Sequence, residues 1–358
     1  MALPFALPVR LLASLAVAAA TGLGLTAQTT VAVPCVLDNT LYQSATGTLS
    51  NGRGTGLFVG VTGQPGIRRP LLKFDVDGSV PAGARILSAQ LTLSCVQSAF
   101  GGPLPVTMHR ALASWGEGTS VATGGGGQGT TARTGDATWL HRFYPNTFWT
   151  TPGGDFAPTP SATIVTPPYA VCSSDVTTAL VADVQSMLDN PSGNFGWLLK
   201  TNELTAYMAR KIESRESNFT KPVLSVTYVL PGQSAPLGVG CPVNGQPFAY
   251  ALSGAPLGGT TVQLVPSNGP ANQSCANLIG LSFELPGTPL LPQCNLLLPL
   301  GGVLVVHSFV TLDGAGTASA PLALPNGYTG VSLVLQAAAL DNSPAGYVLS
   351  NAVFALLQ

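Results

Sequence analysis

Forty-two glycines and thirty prolines are scattered through this 358-residue chain. Proline fixes φ and removes a backbone donor, and glycine weakens a helix interior. A chain punctuated this densely is confined to short extended segments joined by turns. The segments between the turns carry the matching pattern. Leu71–Val76 and Ala89–Cys95 alternate apolar and polar residues with the two-residue period of half-buried strands, and Pro81-Ala82-Gly83-Ala84 reads as a turn between them. Val223–Val229 reads as a closing strand. Further on, Phe248–Leu252, Thr261–Val265, Gly302–Val306, Val331–Leu335 and Val348–Leu356 are short β-like runs. One helix is predicted between Thr177 and Asp189, where Leu180, Val181, Val184, Met187 and Leu188 form a single stripe stopped by Asn190-Pro191. The expected fold class is all-β: two β-sandwich domains in tandem, with one short helix in the first.

The boundary between them is read from charge. Residues 231–358 carry only Glu284, Asp313 and Asp341 and no Lys or Arg, so every basic side chain lies before Pro231. Pro231 to Gly238 has the composition of a short, semi-stiff linker. The expected organisation is a leader over 1–27, a first domain over 28–230, a linker over 231–239 and a second domain over 240–358. Each domain is long enough for its own core and is expected to fold alone, the almost uncharged second one being the less soluble.

In the leader, Arg10 is the only charge before an apolar run from Leu11 to Leu25, followed by Leu25-Thr26-Ala27 as a cleavage point. Pro34 makes the Val33-Pro34-Cys35 context a poor lipidation site, and no second apolar stretch of spanning length follows. The mature protein is therefore expected at the cell surface or outside it, with no membrane insertion. Six cysteines suit that oxidising compartment. Three lie on each side of the boundary. Cys95 with Cys172 is the favoured pair in the first domain, Cys35 with Cys172 its rival. In the second, Cys241 is expected to staple to Cys294, leaving Cys275 alone or in competition with Cys294. None forms C-x-x-C, and His109, His141 and His307 lie far apart, which removes sequence support for zinc. Charged residues make up 8% of the chain and the net charge is −1, so nothing attracts nucleic acid or an anionic membrane.

Asp38-Asn39-Thr40-Leu41-Tyr42-Gln43 opens a series of blocks that resembles a secreted bacterial module, the DNRLRE domain. Arg69 to Asp75 is similar to its next strand, followed by Pro81-Ala82-Gly83-Ala84 and Leu91-Thr92-Leu93. Trp115-Gly116-Glu117-Gly118-Thr119, Ala137-Thr138-Trp139, Asp175-Val176-Thr177, Asn194 to Leu199, Ser214-Arg215-Glu216 and Pro222 to Tyr228 complete the order. The resemblance runs from about Val33 to Val229. It implies a jelly-roll-like sandwich of the carbohydrate-binding-module kind, without a catalytic set to carry over. Gly240-Cys241-Pro242, Leu252 to Pro256 and Leu349-Ser350-Asn351-Ala352 more loosely resemble a C-terminal β-domain of secreted planctomycete-type proteins.

Among residues that carry chemistry, Gly124 to Gly129 is a surface loop, since no Gly-Lys-Ser/Thr follows it as a phosphate loop needs. Trp115 and Trp139 read as packing. His141 to Phe156 holds five aromatics with two prolines and a Gly-Gly pair. Aromatic faces stack on sugar C–H faces while Arg, Asn and Asp bond hydroxyls, so Arg142, Tyr144, Trp149 and Asp155 are candidate ligand-binding residues. The alternative is an Ω-loop pinned by its own aromatics. A lyase reading would use His141, Arg142, Tyr144 and Asp155 on a uronate, yet no paired carboxylates and no G-x-S-x-G elbow accompany them. Asp38, Asp75 and Asp77 are too few for a recognisable calcium loop, and no cofactor is expected. Asn218-Phe219-Thr220 and Asn272-Gln273-Ser274 are glycosylation sequons. The function expected is non-catalytic binding of extracellular polysaccharide or another surface polymer by the first domain. A structural envelope or matrix protein is the competing reading.

Overall fold

The computed structural model describes residues 28–63, 66–98 and 100–358; the expected leader, 1–27, lies outside them. The first half contains β1 (Thr29–Tyr42), β2 (Gly56–Val61), β3 (Ile67–Phe74), β4 (Arg85–Ser98), β5 (Leu104–Arg110), β6 (Ala162–Thr166), β7 (Ala170–Ser173), β8 (Trp197–Lys200), β9 (Met208–Glu213) and β10 (Val223–Val229). All their pairings are antiparallel. β1 is long enough to pair twice: Thr29–Pro34 lies against β10, and Cys35–Tyr42 lies against β3, with a bulge between Cys35 and Leu37. That double pairing closes the ring β1-β10-β4-β9-β2-β3, a barrel. β8, β5 and β6 extend outward from β3, and β7 adds to β4. The all-β class is as expected, but the first half is organised by closure of one sheet, which leaves no free edge along the ring.

The predicted helix is present as α2 (Thr178–Asp189), following a one-turn α1 (Val76–Ser79) that the apolar pattern did not announce. Thr177 caps α2 by accepting the Leu180 N–H, and all five stripe residues are buried. They pack into a core with Leu91, Val106, Met108, Ile164 and Trp197. Burial of each such side chain contributes about 1.5–3 kcal/mol as an upper estimate. Among the described residues, no helix is long and apolar enough to cross a membrane.

The second half contains β11 (Ser234–Leu237), β12 (Ala249–Ser253), β13 (Thr261–Ser267), β14 (Ser274–Gly280), β15 (Leu304–Thr311), β16 (Ala320–Ala323), β17 (Ser332–Leu340) and β18 (Tyr347–Leu356). A five-stranded sheet, β11-β18-β17-β14-β15, shares one core with a three-stranded sheet, β12-β13-β16. The Tyr250 hydroxyl donates to Asn277 Oδ1 at 2.6 Å, joining the two sheets. β11 corrects the expected linker. Ala235 and Leu237 are buried at the two-residue period, and Pro236 is exposed on an edge strand, where a missing N–H is tolerated. No strand pairing crosses residue 230, but the halves meet along an apolar seam. Leu87 and Val229 join the second core, Phe283 and Leu285 touch both cores, and the Leu285 N–H donates to Thr178 Oγ1 at 2.7 Å.

Cys241 and Cys294 are disulfide-bonded across a separation of 53 residues. Cys95 and Cys172 stand diagonally on β4 and β7 with sulfurs 3.9 Å apart and unbonded, while Cys35 and Cys275 are also free thiols. Cys95 shares a hydrogen bond with Cys172, which holds the Cys172 thiol below its usual range. Replacing Cys241 by serine should lower unfolding free energy by about 4 kcal/mol in urea titration, from restored chain entropy. Non-reducing peptide mapping of aerobically prepared protein should recover Cys241–Cys294, and Cys95–Cys172 as the second bridge.

Candidate functional site: a cationic cleft and a buried polar junction

The aromatic loop is built inward. Trp149 is only 6% exposed; its Nε1 donates to Thr138 O at 2.9 Å, and its ring packs with Trp115, Trp139, Leu41, Leu71 and Leu198. The Arg142 guanidinium donates to Ser114 O and Oγ at 3.0 and 3.2 Å. Asp155 accepts the N–H groups of Thr150 and Thr151, both at 2.9 Å, and so fixes a turn. Tyr144 is half-buried, edge-on to His141 with centroids 5.1 Å apart. His141 is itself buried against Thr138 Oγ1, and desolvation lowers its pKa. Trp149 is therefore not a stacking platform, because its ring completes a core, and Arg142 and Asp155 hold the loop together. The segment begins as a short antiparallel hairpin, His141–Phe143 against Thr147–Phe148, rather than as an irregular loop.

The blocks around Asp38, Glu117 and Arg215 meet at one place instead. Asp38, Asn39 and Thr40 are fully buried. Asn39 Nδ2 donates to Glu117 O at 2.8 Å and to Ser50 Oγ at 3.0 Å, while its Oδ1 accepts the Thr40 N–H at 2.7 Å and the Asn51 N–H at 3.3 Å. Glu117 Oε1 accepts the Asp38 N–H at 2.9 Å, and Arg215 grips both Glu117 oxygens at 2.5 Å. Asp38 Oδ2 accepts the Arg215 N–H at 2.6 Å. Gly118, at φ +75, leaves room where a Cβ would collide with Asp136, whose carboxylate accepts the Thr119 and Arg133 N–H groups at 2.8 and 2.7 Å. Asp75 and Asp77 lie apart from this junction, at α1.

The next residues of the same motif position a cleft. The Tyr42 hydroxyl donates to Gly126 O at 2.8 Å and Arg68 Nε to Gly127 O at 3.2 Å, tying the glycine-rich loop down beside β2 and β9. Gly126 and Gly127 lie against the Phe58 ring so closely that a Cβ would sit 3.2–3.3 Å from it. The cleft between that loop and the strands has a volume of about 490 Å³. Tyr207 stands at its rim, 61% exposed, on a backbone φ of +65 that a bulky residue rarely adopts. Lys211, Arg210, Gln97 and Gln128 supply its polar lining. Arg210 is almost wholly buried and donates to Thr166 O, Pro167 O, Phe100 O, Gly102 O and Ser98 Oγ. No salt bridge among the described residues involves Arg210 or Lys211, and no carboxylate lines the cleft. Its lining comes from four separate stretches of chain, so no local motif marks it. The one linear signal is Tyr207 three residues before the Arg210-Lys211 pair in a chain with fourteen cations.

Trp149→Ala should lower unfolding free energy by about 3–5 kcal/mol, as a cavity in the Trp115–Trp139 cluster requires. Chemical denaturation followed by tryptophan fluorescence measures it. Surface-ligand behaviour should stay unchanged under conditions where the variant is folded.

Compared with protein-family models and with curated proteins, the chain matches none.

Proposed function

We propose that this chain is an exported, non-catalytic binding protein whose first half takes an extracellular polysaccharide bearing anionic groups, and that the first half is a DNRLRE-type carbohydrate-binding module. The observation that carries the reading is the cleft, which combines an outward tyrosine, two amide side chains and two cations without a carboxylate. A tyrosine face offers stacking to the C–H face of a sugar ring, Gln97 and Gln128 offer hydrogen bonds to hydroxyls, and Lys211 offers its ammonium to a uronate or sulfate. Unpaired positive charge in a concave site concentrates anions, and the effect fades with salt. Binding is favoured over lyase chemistry because Arg142 and Asp155 are engaged in loop structure and His141 is buried against Thr138.

Affinity electrophoresis of the whole protein through gels containing a uronate polymer or a neutral glucan tests this. Retention should occur in the uronate gel and decline with salt. Tyr207→Ala should weaken it about five- to thirty-fold, the ~1–2 kcal/mol of one stacked aromatic, without lowering the melting temperature. Lys211→Gln should remove most of the salt dependence. Equal mobility in all gels would reject the proposal.

A structural role in an envelope or matrix is the second reading, and β15 favours it. This edge strand exposes Val305, Val306 and Phe309, the last at 73%, in a half of the chain with no Lys or Arg. Unpaired edges of this kind add strands from other molecules. Concentration-dependent assembly in sedimentation velocity, abolished by Val305→Lys and indifferent to glycan, would support it.

A further inference from the structure

Asp38 is fully buried, yet only one of its carboxylate oxygens has a partner: Oδ2 meets the Arg215 N–H, and Oδ1 meets no donor among the described residues. Glu216, with its side chain 13% exposed, turns both oxygens away from solvent without a well-formed hydrogen bond. Its charge lies 3.0 Å from Arg215 Nη2 and 3.6 Å from the half-exposed Arg53. One oxygen from each of Asp38, Glu117 and Glu216 lies within 4.8 Å of the others. Arg215 is committed to Glu117 in a two-pronged pair at 2.5 Å, so those two charges offset each other. Asp38 and Glu216 then remain as two dehydrated carboxylates at one place. Burial raises the pKa of both, as expected where positive charge is short.

We propose that Asp38, Glu216 and Glu117 form a divalent-cation site of the calcium class, with Asp38 Oδ1 as its innermost ligand. Calcium accepts oxygen ligands at roughly 2.3–2.6 Å, so opposite ligands stand about 5 Å apart, and the 4.8 Å spread of these oxygens meets that limit. Three carboxylates set against Arg215, with the half-exposed Arg53 at 3.6 Å, leave negative charge that a dication offsets, and the buried oxygen gains the partner that buried polar atoms require. The three ligands come from β1, from the stretch after Trp115 and from the turn after β9. A cation there ties together segments far apart in sequence, and its effect falls on stability.

Calorimetric titration of the chelator-treated full chain with CaCl2, beside thermal melts in CaCl2 and in chelator, tests the site. One calcium per chain is expected, with a dissociation constant of about 10⁻⁴–10⁻³ M and a melting temperature raised by about 3–5 °C at saturation. Glu216→Gln, at the partly exposed ligand, should abolish both effects while the protein still unfolds cooperatively; Asp38→Asn should do the same. Absence of binding heat with identical melts in wild-type protein would overturn the proposal. So would a melting temperature that rises on acidification equally with and without CaCl2, since a proton shared between Asp38 and Glu216 would then satisfy the orphan oxygen. Neither result bears on the cleft at Tyr207, which is read by glycan retention.

Discussion

The ion pair between Arg215 and Glu117 holds the first half in its closed form. β1 changes partners between Pro34 and Cys35, just before the bulge at Cys35–Leu37, and Asp38 is the first residue after that bulge to be fully buried. The strand has left β10 after Pro34 and taken up β3 at Cys35, so Asp38 lies at the start of the pairing that closes the barrel. Glu117 accepts the Asp38 N–H and both prongs of Arg215, and Arg215 returns its own N–H to Asp38. Each partner is thus bound to the other two. In such a triangle the loss of one member strands a buried charge, which typically costs ~3–5 kcal/mol, far more than an exposed pair contributes.

The same strand positions the cleft. Asp38 and Asn39 enter the junction, Thr40 Oγ1 accepts the Phe58 N–H, and Tyr42 reaches the glycine loop two residues later. A polar run that would be improbable in an ordinary barrel interior is satisfied because three distant loops converge on it. Asn39 alone uses both its amide hydrogens and its oxygen. Buried networks of this sort are favourable only when complete. The orphan oxygen of Asp38 is therefore the anomaly that asks for a ligand.

How much of this was legible in the residues depends on range. The stripe Leu180, Val181, Val184, Met187 and Leu188 needs only its own 3.6-residue period, and α2 follows it closely. Val223–Val229 needs only its period of two. Barrel closure is different: nothing within Thr29–Tyr42 reveals that one strand serves two partners, since pairing is a property of both strands. Ser234–Leu237 was hidden by Pro236, which looks like linker until the strand is known to lie at an edge. Composition drew attention to Trp149 without saying which way it faces, because the same aromatic serves a core and a platform equally well. Tyr207 escaped for the converse reason: its surroundings come from elsewhere in the chain, and its exposure is set by a positive φ that no periodicity encodes.

Charge placement gives the two halves different physical characters. In the first, scarce charges are concentrated where they organise structure: Arg69 is paired with Glu203 at 2.7 Å, Arg215 with Glu117, and Arg210 is wrapped in carbonyls. Arg210 adds positive potential without offering its own guanidinium to a ligand, since its donors are engaged. Lys211 beside it is the cation that remains accessible. A cleft built in this way attracts anions over a distance while presenting few groups for tight ion pairing. On the proposed reading, such a surface suits a long polymer held by many weak contacts better than tight capture of a small anion. The second half has no cation with which to do the same. Its surface presents the backbone edge of β15 with Val305, Val306 and Phe309 exposed.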